Sequence, residues 1–82
     1  MVRVIYDDKF VKIVSKIKDS LMKLKVQKQI SKIIKNPEIG KPMRNVRKGT
    51  REVYVNPYRL SYKYYSGNDT LEFLEVYHKD EH

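Results

Sequence analysis

Apolar and polar residues change their period twice along this chain. Val2, Val4 and Tyr6 alternate with Arg3 and Ile5, the two-residue repeat of a short strand, and Asp7 or Asp8 then offers a helix cap. Phe10, Val11, Ile13, Val14 and Ile17 fall three and four residues apart, which predicts a helix with one apolar stripe and Lys9, Lys12 and Lys16 opposite it. Asp19-Ser20 supplies a break and a second cap. Met22, Val26, Ile30, Ile33 and Ile34 then form a second stripe that runs to Lys35. Two antiparallel helices are the preferred reading; one long helix is the alternative, because the break contains neither Gly nor Pro. Asn36-Pro37 is a firm stop, since proline clashes with a helical residue before it and has no N–H to donate.

Glu38 to Lys48 reads as a loop, punctuated by Gly40 and Pro42 and followed by Gly49. Strand periodicity returns over Arg51 to Val55, Arg59 to Tyr65 and Leu71 to Tyr77, which are rich in Val, Tyr, Phe and Leu. Asn56-Pro57 and Ser66-Gly67-Asn68-Asp69 are turn sequences, so these strands are expected to form an antiparallel meander. The order β-α-α-β-β-β predicts an α+β fold: a helical hairpin packed on one face of a small antiparallel sheet, with the other face open. Alternation sends Leu60, Tyr62 and Tyr64 toward the helices and Arg59, Ser61 and Lys63 outward, joined there by Glu52 and Tyr54. The last strand is ambiguous, because Leu71 and Phe73 favour one register and Leu74 and Val76 the other. The direction of His78 stays open with it.

At 82 residues the chain is read as a single domain, 1–82, with one modest core. It has no cysteine, so no disulfide or thiolate metal site supports the fold, which suits a reducing cytoplasm. No run approaches the roughly 20 apolar residues of a membrane span, and the start MVRVIYDDKF lacks a secretory signal. A soluble, cytoplasmic protein with no membrane partner is expected.

Charge narrows the choice of partner. The formal net charge of +8 draws polyanions, although a lysine-rich solvated surface gives the same total. Distribution is more telling than the total. Between Lys41 and Lys63 stand Lys41, Arg44, Arg47, Lys48, Arg51, Arg59 and Lys63 against a single acid, Glu52. Arginine presents a planar fork of donors that matches phosphate oxygens, so this segment points to nucleic acid. After Asn68 the sign reverses, with Asp69, Glu72, Glu75, Asp80 and Glu81 facing only Lys79.

Gly40-Lys41-Pro42, Gly49-Thr50-Arg51-Glu52-Val53-Tyr54-Val55, Tyr58-Arg59-Leu60-Ser61-Tyr62 and the closing Val76-Tyr77-His78-Lys79 together resemble the RelE/ParE superfamily of toxins from type II toxin-antitoxin systems. The resemblance spans essentially the whole chain and agrees with the element order. It implies a toxin that binds the ribosome and cuts messenger RNA there, an mRNA interferase, kept silent by a cognate antitoxin that masks its basic face. Two departures stand out. Where one branch follows its Gly-Lys-Pro loop with a catalytic glutamate, this chain has Met43 and Arg44; where another carries lysines before the Tyr-Arg strand, it has Arg47, Lys48 and Arg51.

Cleavage of this kind has the 2′-hydroxyl attack the adjacent phosphate, which demands a proton acceptor, a proton donor and neutralisation of charge at phosphorus. It requires no metal and no small-molecule cofactor. Arg59 occupies the position of the family's strand arginine and suits clamping the scissile phosphate. His78 stands where related toxins place a histidine, arginine or lysine, and an imidazole transfers protons in either direction near neutral pH. Lys79 beside it offers charge stabilisation, and Glu52 fits either a general base or a cross-strand ion-pair partner. Arg44, Arg47, Lys48, Arg51 and Lys63 are candidate RNA contacts, and Tyr54 and Tyr77 are candidate stacking surfaces for an unpaired base. Lys25, Lys28, Lys32 and Lys35 share a line on the second helix, either as RNA contacts or as a solvated face. His82, the last residue, is a weaker candidate. Two other functions compete: a ParE-like inhibitor of DNA gyrase, which needs no proton transfer, and a degenerate member that only binds antitoxin or nucleic acid.

Overall fold

A computed structural model describes residues 2–80, with the backbone alone at Val46. β1 (Arg3–Tyr6) leads into α1 (Asp8–Ser15) and α2 (Ser20–Lys35), followed by β2 (Lys41–Pro42), β3 (Arg51–Val55), β4 (Tyr58–Tyr65) and β5 (Thr70–His78). The fold is α+β, with the two helices on one face of a five-stranded sheet ordered β1-β5-β4-β3-β2. Two features correct the expected sheet. β1 pairs parallel with β5, so the sheet is mixed rather than antiparallel. The expected loop from Glu38 to Lys48 also contributes a two-residue strand, β2, and a 3-10 turn at Asn45–Arg47.

The helix break is where the sequence puts it. Asp7 accepts the Lys9 amide at 2.8 Å and caps α1, and Asp19 accepts the Leu21 amide at 2.9 Å and caps α2, each satisfying a donor that the first turn leaves open. Both helices lay their stripes on the sheet, with Phe10, Val26 and Ile33 buried and Ile13, Val14, Ile17, Met22, Ile30 and Ile34 packed at the rim of the core. Val11 departs from its predicted stripe and is exposed. Phe73 is the hub of the core: Tyr6 stacks on it at 5.4 Å between ring centroids, and Phe10 and Tyr62 lie at 5.5 and 6.1 Å.

A β-bulge resolves the ambiguous last strand. β4 pairs Tyr62 with Phe73 but Ser61 with Glu75, so Leu74 is an extra residue in β5. Leu71 and Phe73 face the helices before the bulge and Val76 after it, so each of the two competing registers holds for one half of the strand.

Candidate functional site on the open face

Residues directly opposite one another on neighbouring strands share a face of the sheet. The pairs Tyr54↔Arg59 and Arg59↔Tyr77 therefore place these three side chains together, and Lys41↔Glu52, Glu52↔Ser61 and Ser61↔Glu75 continue the same face. The helices cover the opposite face. The bulge is what sets this arrangement, because it returns Glu75 and Tyr77 to the side of Glu52.

Glu52 is the centre of the cluster. It is only 5% exposed, and a buried carboxylate is stable only when paired. The Tyr77 hydroxyl donates a short hydrogen bond to Glu52 Oε2. Arg47 Nη1 lies 3.8 Å from that oxygen, and Arg59 Nη1 lies 3.8 Å from Oε1. Arg47 arrives from the 3-10 turn, stacks its guanidinium 4.3 Å from the Tyr77 ring centroid, and also reaches Glu75 Oε2 at 3.5 Å. Burial, and then the Glu52 hydrogen bond, push the Tyr77 phenol above its ordinary pKa, while Arg47 and Arg59 pull it back in part. Tyr77 is thus held as a donor that fixes Glu52.

Arg59 has capacity to spare. Its guanidinium lies 5.2 Å from the Tyr54 ring centroid, its contact with Glu52 is beyond hydrogen-bond length, and its buried Nε has no hydrogen-bond partner among the described residues. A pocket of about 120 Å³, lined by Lys41, Met43, Glu52, Tyr54 and Arg59, opens beside it. A second groove of about 290 Å³ places Lys79 with Arg59 and Tyr54. One guanidinium, one lysine and one carboxylate around a small opening, with Lys79 in the groove beside it, can hold a phosphate and accept a proton next to it.

Other candidates lie elsewhere. His78 pairs with Tyr58 on the helix-facing side of the sheet, packs edge-on to the Tyr58 ring at 5.6 Å, and accepts the Asp80 amide on Nδ1 at 3.3 Å. Structure therefore separates His78 from Arg59 by the thickness of the sheet. Arg51 pairs with Tyr62, again on the helix side, and its Nη1 donates to the carbonyls of Gly40 at 2.8 Å and Glu38 at 3.0 Å. Its guanidinium is committed to holding the loop and is not aimed at the open face. Ser61, expected outward, does share the open face, opposite Glu52 and Glu75, but is buried. Arg44 and Lys48 are exposed on the loop flanking the 3-10 turn, and Lys63 lies on the open face with its Nζ 5.4 Å from the Tyr65 ring. His82 lies outside the described residues.

Two contributors escaped the sequence reading. Glu75 joins Glu52 under Arg47, which only the bulge makes possible. Met43 lines the small pocket because its amide donates to the Thr50 carbonyl at 2.9 Å, extending the β2 to β3 pairing by one bond.

Comparison with known proteins gives a consistent picture. Residues 4–82 match the model of the ParE toxin of the type II toxin-antitoxin system, parDE. Curated proteins give no significant sequence match. The fold is similar to that of the toxin-antitoxin complex RelBE2 from Mycobacterium tuberculosis, with a TM-score of 0.79 at 23% identity over 95% of this chain and 98% of that one. It is similar to the intact RelBE complex of E. coli, with a TM-score of 0.81 at 14% identity over 99% and 100% of the two chains. A YoeB/ParE toxin from Agrobacterium tumefaciens aligns with a TM-score of 0.83 at 14% identity over 94% and 98%. The match over nearly its full length shows that this chain, a member of the RelE/ParE superfamily, belongs to the ParE toxin family of type II toxin-antitoxin systems.

Proposed function

We propose that this toxin is an endoribonuclease that cuts messenger RNA on the ribosome, with Arg59, Glu52 and Tyr77 at its reacting centre. The observation that carries the reading is the nearly buried Glu52 carboxylate, fixed by Tyr77 and flanked by Arg47 and Arg59, opening onto a basic pocket. An RNA phosphate in that pocket lies against Arg59 and Lys41, which neutralise the charge that builds on its oxygens. The 2′-hydroxyl attacks phosphorus and gives its proton to Glu52. The bond to the 5′ oxygen breaks, and that oxygen takes a proton from Lys79, leaving a 2′,3′-cyclic phosphate and a 5′-hydroxyl. His78 stands outside this step, in support of the turn that carries Tyr58. Adding the purified protein to a translating extract tests the reading: new mRNA ends that require ribosomes support it, and intact mRNA rejects it.

A second reading is inhibition of DNA gyrase. The family match to ParE toxins favours it, as does the position of His78 on the far side of the sheet from Arg59. Supercoiling by gyrase that stays unaffected by excess protein excludes it.

Under either reading the chain works with a cognate antitoxin, as the RelBE2 and RelBE toxins do in their complexes. The partner is a small acidic or amphipathic chain that covers the basic face, because complementary charge and folding upon binding suit such a surface. Co-expression with the product of the adjacent gene is expected to yield a complex, and failure to co-purify counts against it. The toxin acts in the cytoplasm, and no helix among the described residues is long and apolar enough to cross a membrane.

A further inference from the structure

Tyr54 lies at the meeting point of three depressions. It lines the small pocket with Glu52 and Arg59, the groove with Asn56 and Lys79, and a third groove of about 290 Å³ with Lys25, Lys28, Gln29 and Lys32 of α2. The three form a path that leaves the Arg59 site, passes Tyr54 and Asn56, and continues along α2. The two outer grooves are lined by Lys25, Lys28, Lys32, Lys79 and Arg59, with no carboxylate among their described lining residues.

We infer that this path is a binding track for single-stranded RNA, holding the nucleotides that flank the phosphate in the Arg59 site. The inference rests on the proposed reading of the open face as directed at RNA. Tyr54 is 58% exposed, with the Arg59 guanidinium beside its ring, so the rest of the ring is available to stack on an unpaired base. Gln29 Nε2 donates to the Tyr54 carbonyl at 3.4 Å and ties α2 to the strand that presents the ring. Lys25, Lys28 and Lys32 are exposed and follow one another at i, i+3 and i+7, steps of roughly 4.5 and 6 Å along the helix axis, so they line one side of the groove. An acidic protein would use the lysines equally well, but it has no need of an exposed aromatic ring between two basic grooves. Stacking plus backbone charge is the combination that single strands require.

Fluorescence anisotropy with a labelled, unstructured RNA of about ten nucleotides, within the usual span of single-strand sites, tests the track on the full chain without ribosomes. The combined variant Lys25→Ala/Lys28→Ala/Lys32→Ala is expected to lower the slope of log affinity against log salt by about 2, from three phosphate contacts at about 0.7 each. Tyr54→Ala is expected to weaken binding by about 5- to 100-fold with little change in slope. An unchanged slope in the lysine variant overturns the track, as does a duplex RNA of equal length that binds as tightly and with the same dependence on Tyr54. An acidic peptide that binds the lysine groove while the RNA does not overturns it as well. Because no cleavage is read, a protein that binds RNA this way yet cuts no mRNA leaves the track standing and rejects only the endonuclease reading.

Discussion

The hydroxyl of Tyr62 accepts a hydrogen bond from the amide of Gly40 at 2.8 Å and donates one to the carbonyl of Pro37 at 2.7 Å. A fully buried strand residue thereby pins the segment that follows α2 and leads to Lys41, Met43 and Arg47. Position 40 has no room for a side chain: a Cβ there would lie 2.6 Å from the Tyr62 hydroxyl oxygen and 2.7 Å from Cε1. Gly40→Ala is expected to destabilise the protein by about 1–3 kcal/mol through overpacking and to lower cleavage with it. Urea unfolding checks this, and an unchanged midpoint would show that the loop is not held by this contact.

Arg51 holds the same loop from the other side of Gly40, through its bonds to the Glu38 and Gly40 carbonyls. Arg51→Ala is expected to reduce stability by about 1–3 kcal/mol, because two carbonyls lose a charged donor. RNA affinity, measured on the folded fraction, should stay close to that of the wild type. A large fall in affinity at unchanged stability would instead make Arg51 a direct RNA contact.

Alkaline stability follows from the phenols. Burial is the main cause that raises the pKa of both Tyr62 and Tyr77 above the ordinary value of about 10. Above that pH the folded state keeps protons that the unfolded chain has released, so the contribution is complete below about pH 10 and is lost as pH rises through the folded values. Thermal melts are expected to fall from about pH 10 upward, and less steeply in Tyr77→Phe. Equal slopes for the two proteins would contradict the assigned environment of Tyr77.

Much of this was legible in the sequence, and what was not has identifiable physical causes. Caps are local, so Asp7 or Asp8 and the Asp19-Ser20 pair marked both helix starts, where Asp7 and Asp19 prove to be the caps, and the spacing of Val26 and Ile33 marked the buried stripe. Alternation along β3 and β4 placed Glu52, Tyr54 and Arg59 on one face, and that grouping is the heart of the candidate site. Pairing between distant segments is not local. Nothing in Arg3–Tyr6 specifies that β1 runs parallel to β5, and a two-residue strand at Lys41–Pro42 carries no periodicity to detect. The single extra residue at Leu74 reverses the facing of everything after it, which is why His78 and Glu75 could not be assigned from alternation. Arg51 looked like its neighbours Arg47 and Arg59 in composition; its position opposite Tyr62 is what turns it toward the loop.

Removal of the paired phenol separates the roles within the cluster. Tyr77→Phe leaves Glu52 without its hydrogen bond, and the expected result is a clear loss of cleavage with RNA affinity retained, since Arg59 and Lys41 still line the phosphate pocket. Single-turnover cutting beside anisotropy reads both. Loss of affinity without loss of the cutting rate would assign Tyr77 to binding alone.

The most direct measurement is primer extension of mRNA ends in a translating extract given wild-type protein, Arg59→Ala or His78→Ala, each confirmed to be folded. Ribosome-dependent cuts by the wild type, reduced by about 100-fold or more in Arg59→Ala and largely kept in His78→Ala, are the predicted result. Cuts that survive in Arg59→Ala but vanish in His78→Ala would move the reacting centre to the other face of the sheet and contradict the account.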